Sequence, residues 1–183
     1  MNTTNCRLST ATEEQHVRLR PFTRRDLRRY LKWINDPYII RHWADPFGQT
    51  MEGLESWWAG YVEDDSERWF TILVDRRPIG VLTLSGASRS TAQVGAFIGE
   101  RGMIGKGYGT EALCMLIERA RSELGSRHFW LEVSDTNMRA IRSFSKVGFT
   151  ETDQARTYTA DSGREYTFVK MVLDAEDAEG ESS

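Results

Sequence analysis

One stretch limits this chain more than any other: Phe97-Ile98-Gly99-Glu100-Arg101-Gly102-Met103-Ile104-Gly105-Lys106-Gly107-Tyr108-Gly109-Thr110-Glu111-Ala112-Leu113. A β-like run over Ala92–Gly99 enters it, and an apolar-striped helix over about Gly109–Leu124 leaves it. Glycine permits positive φ and lets backbone come close to a ligand. A helix start supplies unpaired N–H groups and a partial positive charge. Together these make a site for a phosphate-bearing ligand. An ordinary helix cap would account for one glycine, but alternate glycines at 105, 107 and 109 around a lysine point to a ligand loop.

Two phosphate motifs can be tested by spacing. A P-loop needs Gly six residues before its Lys and Ser or Thr after it. Measured from Lys106, those positions hold Glu100 and Gly107, so it fails twice. Gly107-x-Gly109-x-x-Ala112, with Glu132 further on, fits the dinucleotide fingerprint. That fingerprint should follow its strand at once, however, and here the strand is expected to end near Gly99. The chain also lacks the repeated strand–helix units of a doubly wound sheet.

The rest of the chain reads as a mixed α/β (α+β) domain. Residues 1–15 and 175–183 are expected to be tails, with one domain over 16–174. Val17–Pro21 is a short strand, and Thr23 caps a helix with apolar Leu27, Tyr30, Leu31 and Ile34, stopped by Asn35-Asp36-Pro37. The arginines 24, 25, 28 and 29 read as its solvated face. Tyr38–Phe47 reads as an aromatic loop, either a pocket wall or a core patch, and Met51–Val62 as a second helix. Three strands follow (68–75, 78–85, 91–99) on turns short enough to force antiparallel hairpins. After the glycine loop and its helix come a strand over 127–133, a helix over 138–146 ended by Gly148, and two more strands. The step from strand through helix to strand 127–133 should be a parallel crossover.

Composition excludes some functions. The formal net charge is −3, so no global basic field points to nucleic acid. No apolar run is long enough for a membrane span, and no signal peptide is evident, so cytoplasmic residence is the expectation. The two cysteines, Cys6 and Cys114, and three scattered histidines form no disulfide framework or metal spacing, and Cys114 reads as a packing residue. No metal is expected.

Gly105-Lys106-Gly107-Tyr108-Gly109 resembles the acetyl-CoA loop of the GNAT superfamily of N-acetyltransferases, with Ile104 where the family usually has Arg or Gln. Asn137-x-x-Ala140-Ile141-x-x-Phe144-x-Lys146-x-Gly148-Phe149 is similar to that family's second cofactor segment, with Phe144 where many members have Tyr. The opening Leu19-Arg20-Pro21, the later Trp33–Pro37 and the Gly95–Gly99 run resemble the subgroup of ribosomal-protein N-terminal, amino-sugar and aminoglycoside 6′-N-acetyltransferases. The resemblance covers roughly Val17 to Leu173. It implies a mostly antiparallel sheet of six or seven strands flanked by about four helices.

It also implies a chemistry. Acetyl transfer to an amine needs a held acyl carrier, a neutral amine and a stabilised oxyanion. Acetyl-CoA, as co-substrate, would lie on the amides of Gly105 to Thr110, with Ile104, Lys106, Gly107, Tyr108 and Gly109 around it. Its arm would pair with Phe97, Ile98 and Gly99, and an N–H near Ile98 would be the oxyanion donor. Asn137, Ala140 and Phe144 would contact it from the second segment, although an isolated Asn here would also read as a plain helix cap. A phenyl ring at 144 cannot protonate a leaving thiolate, and Tyr108 and Ser143 stand near in sequence without being singled out. Glu132 is the first candidate base and Glu100 the second, and a solvent-facing strand position is the competing reading for Glu132. Trp43 and Asp45 are the candidate acceptor wall. The expected reaction is direct attack by a primary amine in a ternary complex. The acceptor stays open among a protein N-terminus, a polyamine, an aminoglycoside and an amino-sugar nucleotide. The alternatives are a non-catalytic acyl-CoA-binding module or a nicotinamide-dependent oxidoreductase. No nucleic-acid or membrane partner is expected, and a homodimer is compatible with the sequence.

Overall fold

The computed structural model describes residues 17–42, 49–62, 66–88, 90–160 and 163–174. The expected tails, and the acceptor-wall residues Trp43 and Asp45, lie outside these. Seven strands form one sheet: β1 (Val17–Pro21), β2 (Glu67–Val74), β3 (Arg77–Ser85), β4 (Thr91–Ile98), β5 (His128–Ser134), β6 (Thr150–Thr159) and β7 (Glu165–Asp174). Their spatial order is β1-β2-β3-β4-β5-β7-β6. Every neighbouring pair is antiparallel except β4–β5, which is parallel. A single parallel step rules out the doubly wound sheet of a dinucleotide-binding oxidoreductase.

Two layers of helix cover the sheet. On one face lie α4 (Tyr108–Leu124) and α5 (Met138–Val147) over an aliphatic core that includes Leu82, Val94, Leu116, Ile117, Leu131 and Met171. The apolar positions of α4 recur at helical spacing, so Leu113, Leu116, Ile117 and Ala120 are all buried. Gly125 closes α4 in the left-handed conformation at φ +71°. Cys114 packs in the core beneath α4, as expected, and it is also disulfide-bonded, which corrects the expectation that the cysteines form no disulfide.

On the other face, α1 (Leu27–Ile34) and α3 (Met51–Val62) cover an aromatic layer. Trp57 and Trp69 sit 4.7 Å apart between ring centroids, and Tyr30 meets Trp69 edge-on at 5.4 Å. A 3₁₀ turn over Arg24–Asp26 precedes α1. There Asp26 accepts from both Arg20 guanidinium nitrogens (2.6 and 2.7 Å) and from the Thr23 amide (2.8 Å). Burial would raise this carboxyl, but the Arg20 and Thr23 bonds outweigh it and hold the group below its ordinary range.

Pro37–Ile40 forms a one-turn helix, α2, within the segment read from sequence as an aromatic loop. Asp36 caps it by accepting from the Tyr38 amide at 2.9 Å, and Pro37 sits at its first turn. Four residues are too few to show a helical period, which is why the pattern missed it. Among the described residues no helix is long and apolar enough to cross a membrane.

Candidate active site

The ladder between β4 and β5 holds three pairs, Thr91–His128, Ala92–Phe129 and Gln93–Trp130, and then ends. Yet β4 runs on to Ile98 and β5 to Ser134. The two strands therefore part, and a cleft opens through the sheet. The Gly99 N–H donates to Ile79 O on the β3 side at 2.8 Å. Strand alternation then turns the Ile98 N–H the other way, into the cleft. That amide has no ladder partner among the described residues.

At the mouth of the cleft lies the glycine loop. Gly105 and Gly107 have φ of +80° and +89°, and a Cβ on either would meet nothing within 4 Å. The backbone thus demands glycine while the space beside it stays open. Gly107 caps α4, so the amides of Tyr108, Gly109 and Thr110 point out of the helix start.

A cavity of about 210 Å³ fills the cleft. Ala96, Phe97 and Ile98 of β4 line one wall, and Met103, Ile104, Gly105 and Gly107 form the loop side. Tyr108, Gly109, Thr110 and Leu113 come from α4, and Asn137, Arg139, Ala140, Ser143, Phe144 and Lys146 from α5 and its cap. Ile39 and His42 close the end nearest α2. A slot of mixed polar and apolar lining beside the start of a helix suits a long thioester carrier with phosphates at one end.

The structure brings together most of the residues expected at the cofactor. Gly99 and Lys106 do not line the cavity. Lys106 is exposed. Gly99 is glycine for another reason: a Cβ there would stand 2.1 Å from the Trp33 ring, so the indole packs flat on the backbone. Asn137 has the place that both readings of it require. It lines the cavity, and its Oδ1 accepts from the Ala140 amide at 3.3 Å as the N-cap of α5. Phe144 packs edge-on against Phe149 at 6.2 Å. Ser143 donates to Arg139 O at 3.0 Å from within the cavity lining.

The carboxylates are placed differently. Glu100 accepts from Trp33 Nε1 at 3.1 Å and lies 3.5 Å from Arg29, and it does not line the cavity. Glu132 also lines neither this cavity nor the one that adjoins it; it is exposed on β5 opposite Lys170, beyond the point where β4 and β5 part. It shares a strand face with Ser134, about 7 Å along the strand. Ser134 Oγ is 2.8 Å from Thr136 Oγ1.

Sequence reasoning missed His42. It stands where this cavity meets a second one of about 380 Å³ lined by Pro37, Ile40, Arg41, His42, Thr136, Arg164 and Tyr166. His42 Nε2 accepts from Arg41 Nε at 3.0 Å, and Nδ1 lies 3.2 Å from Thr136 Oγ1. Burial, and then the charges of Arg41, Arg139 and Arg164, hold its pKa below the ordinary histidine range. The neutral ring therefore accepts at Nε2 and donates from Nδ1 to Thr136. Among the described residues, no group of three or more His, Cys, Asp or Glu side chains is placed to hold a metal ion.

Comparison with known proteins agrees with this geometry. The family model described as an acetyltransferase (GNAT) domain matches residues 16–150. The spermidine N(1)-acetyltransferase of Escherichia coli K12 is 27% identical over 135 residues, spanning 73% of this chain and 72% of that protein. The chain spans only 30% of the length of another relative, an uncharacterised protein of Methanocaldococcus jannaschii, 23% identical over 150 residues. The Vibrio cholerae spermidine N-acetyltransferase, solved with CoA and spermine, superposes with a TM-score of 0.77 at 21% identity, covering 86% of this chain and 95% of that one. The aminoglycoside acetyltransferase AAC(6′)-Ib, solved with coenzyme A, gives 0.71 at 22% identity, covering 87% and 95%. The chain belongs to the GNAT acetyltransferase family.

Proposed function

We propose that this chain, a GNAT N-acetyltransferase drawing its acetyl group from acetyl-CoA, acetylates the primary amine of a small molecule by direct attack in a ternary complex. The observation that carries the reading is the parting of β4 and β5 after three pairs, beside a loop whose two positive-φ glycines face open space.

Acetyl-CoA supplies an activated thioester. The amides from Gly107 to Thr110 bind its diphosphate, and the outward edge of β4 orients its arm along the cleft. The Ile98 N–H donates to the carbonyl oxygen as negative charge develops there. Asn137 and Ala140, at the start of α5, close the opposite side. Glu132, on the strand face that leads to Ser134 and Thr136, takes the proton from the incoming ammonium, and Glu100 is left as a structural partner of Trp33. Phe144 donates no proton, so the thiolate leaves unassisted by that ring. Cys114 is disulfide-bonded and takes no part, in keeping with a reaction that forms no acyl-enzyme. The reading also places the protein in the cytoplasm, where acetyl-CoA is made available to such enzymes.

The choice of a small acceptor rests on likeness to the spermidine and aminoglycoside enzymes. Release of coenzyme A on incubation with acetyl-CoA and a panel of amines tests the activity. Tight acetyl-CoA binding without release for any amine or N-terminal peptide would leave the non-catalytic binding module as the better account.

A further inference from the structure

The second cavity adjoins the cofactor cleft, and the charge on its walls has an unexpected sign. It opens from the cofactor cleft at His42, which lines both spaces. Its walls come from α2 and the residues after it, from the turn between β5 and α5, and from the start of β7. The acceptor of a cationic amine should be walled by carboxylates and aromatic faces. Here Arg41 and Arg164 line the cavity itself, and Arg139 lines the adjoining end of the cleft.

None of these three arginines has a carboxylate partner among the described residues. Arg41 bonds His42 and lies over the Tyr38 ring, its guanidinium carbon 4.4 Å from the centroid. Arg139 bonds the Tyr38 hydroxyl, and together with the nearby Arg41 it pulls that phenol below its ordinary range. Arg164 lies over the Tyr166 ring at 4.8 Å. All three act electrostatically on His42, so their fields meet at the junction of the two cavities. Asp36, the acid that caps α2, is already paired with Arg101. Asp135 and Glu165 are exposed and line neither cavity. The neutral His42, bridging Arg41 to Thr136, holds one guanidinium toward the cavity. Thr136 and Tyr166 add hydroxyls to the lining.

From this arrangement, and resting on the acetyltransferase reading above, we infer that the acceptor is an amine that also carries an acidic group, a carboxylate or a phosphate. The acidic group sits among Arg41, Arg164 and Arg139, while the amine faces the Ile98 amide. Arginine is suited to this because its fork pairs with either anion through two parallel hydrogen bonds. The acceptor class therefore differs from the polyamines named for the relatives, which would meet like charge here.

Two measurements test it on the full chain. In the first, coenzyme A release is followed with matched amines: phosphoethanolamine against ethanolamine, 4-aminobutyrate against butylamine, and spermidine. The acid-bearing member of at least one pair should show kcat/KM about tenfold higher or more. Whichever pair shows it tells phosphate from carboxylate. In the second, inorganic phosphate is titrated into protein saturated with coenzyme A, so that the glycine loop is already filled. Arg164→Gln should weaken phosphate binding about tenfold, and Arg25→Gln, a surface change outside both cavities, should leave it unchanged. Preference for spermidine or butylamine, or equal phosphate binding by wild type and Arg164→Gln, overturns the inference. Calorimetry with acetyl-CoA separates the two levels. No binding there sinks the acetyltransferase reading itself, whereas normal binding with phosphate-blind cavities sinks only the acidic acceptor.

Discussion

The two ends of the cleft are built in different ways. The end proposed for the cofactor is lined from two stretches, 96–113 and 137–146, and the groups proposed to bind there are mostly backbone amides. The end proposed for the acceptor is assembled from α2 and the residues after it, a turn after β5 and the start of β7, and the groups proposed to bind there are side chains. A site made of backbone needs special φ values, and special φ values need glycine, so it leaves a mark in the sequence. A site made of side chains that meet only after folding leaves isolated arginines, a histidine and a threonine, which read as ordinary surface. The difference also separates their failures. Damage to the first end should cost cofactor affinity, and damage to the second should cost acceptor selectivity with cofactor affinity intact.

Variants can break or sharpen that contrast. Gly107→Glu is the most severe. It places a carboxylate against the diphosphate site and a side chain at φ +89°, so acetyl-CoA affinity should fall about a hundredfold or more by calorimetry. Retained tight binding would remove the loop from the site. Glu132→Gln should lower kcat by about a hundredfold while leaving the acetyl-CoA dissociation constant unchanged. An unaltered kcat would move the proton to another group. A third variant, Asn137→Ala, removes the α5 cap bond and should cost about 1 kcal/mol of stability in a denaturant melt. It should also weaken acetyl-CoA binding by several-fold, since α5 begins at the cofactor wall.

Acidification tests the acceptor end alone. His42 is held below its ordinary range first by burial and then by the neighbouring arginines, so its neutral form is favoured in the folded protein. The Arg41–His42–Thr136 bridge and its contribution to stability should be complete above about pH 6.5, the unfolded value, and be lost as pH falls through the depressed folded value. Imidazole shifts in NMR would follow this directly, and His42→Gln should flatten that part of the stability profile. A midpoint above the ordinary range would mean that the three arginines do not converge on the ring. The smallest effect is expected from Phe144→Tyr. If thiolate departure is not limiting, kcat should change by less than about threefold, because proton donation helps only the step it reaches.

Much of the fold was legible. Each strand and each long helix expected from periodicity is present within a residue or two, apart from α1, which begins at Leu27 after a 3₁₀ turn capped by Thr23 rather than near Arg24, because alternation and the 3.6-residue stripe report burial locally. Even the hairpin at Asp75–Arg76 follows, although those non-glycine residues take φ of +48° and +63°. Other roles were not legible. Gly99 belongs to the Trp33 packing and Glu100 to the Trp33 hydrogen bond, both set by a helix more than sixty residues earlier in the chain. Lys106 suggested phosphate charge from its neighbours in the motif, but it is exposed and outside the cavity lining.

By itself, the order of residues determined the alternating strands, the amphipathic helices and the glycine loop, because each of these answers to contacts within a few positions. Only the tertiary structure decided where β4 leaves β5, which side chains turn toward the gap, and that three arginines gather around His42. Those outcomes depend on elements distant in sequence being brought to one place, and no short-range pattern records the distance between side chains that meet only when the sheet has closed around them.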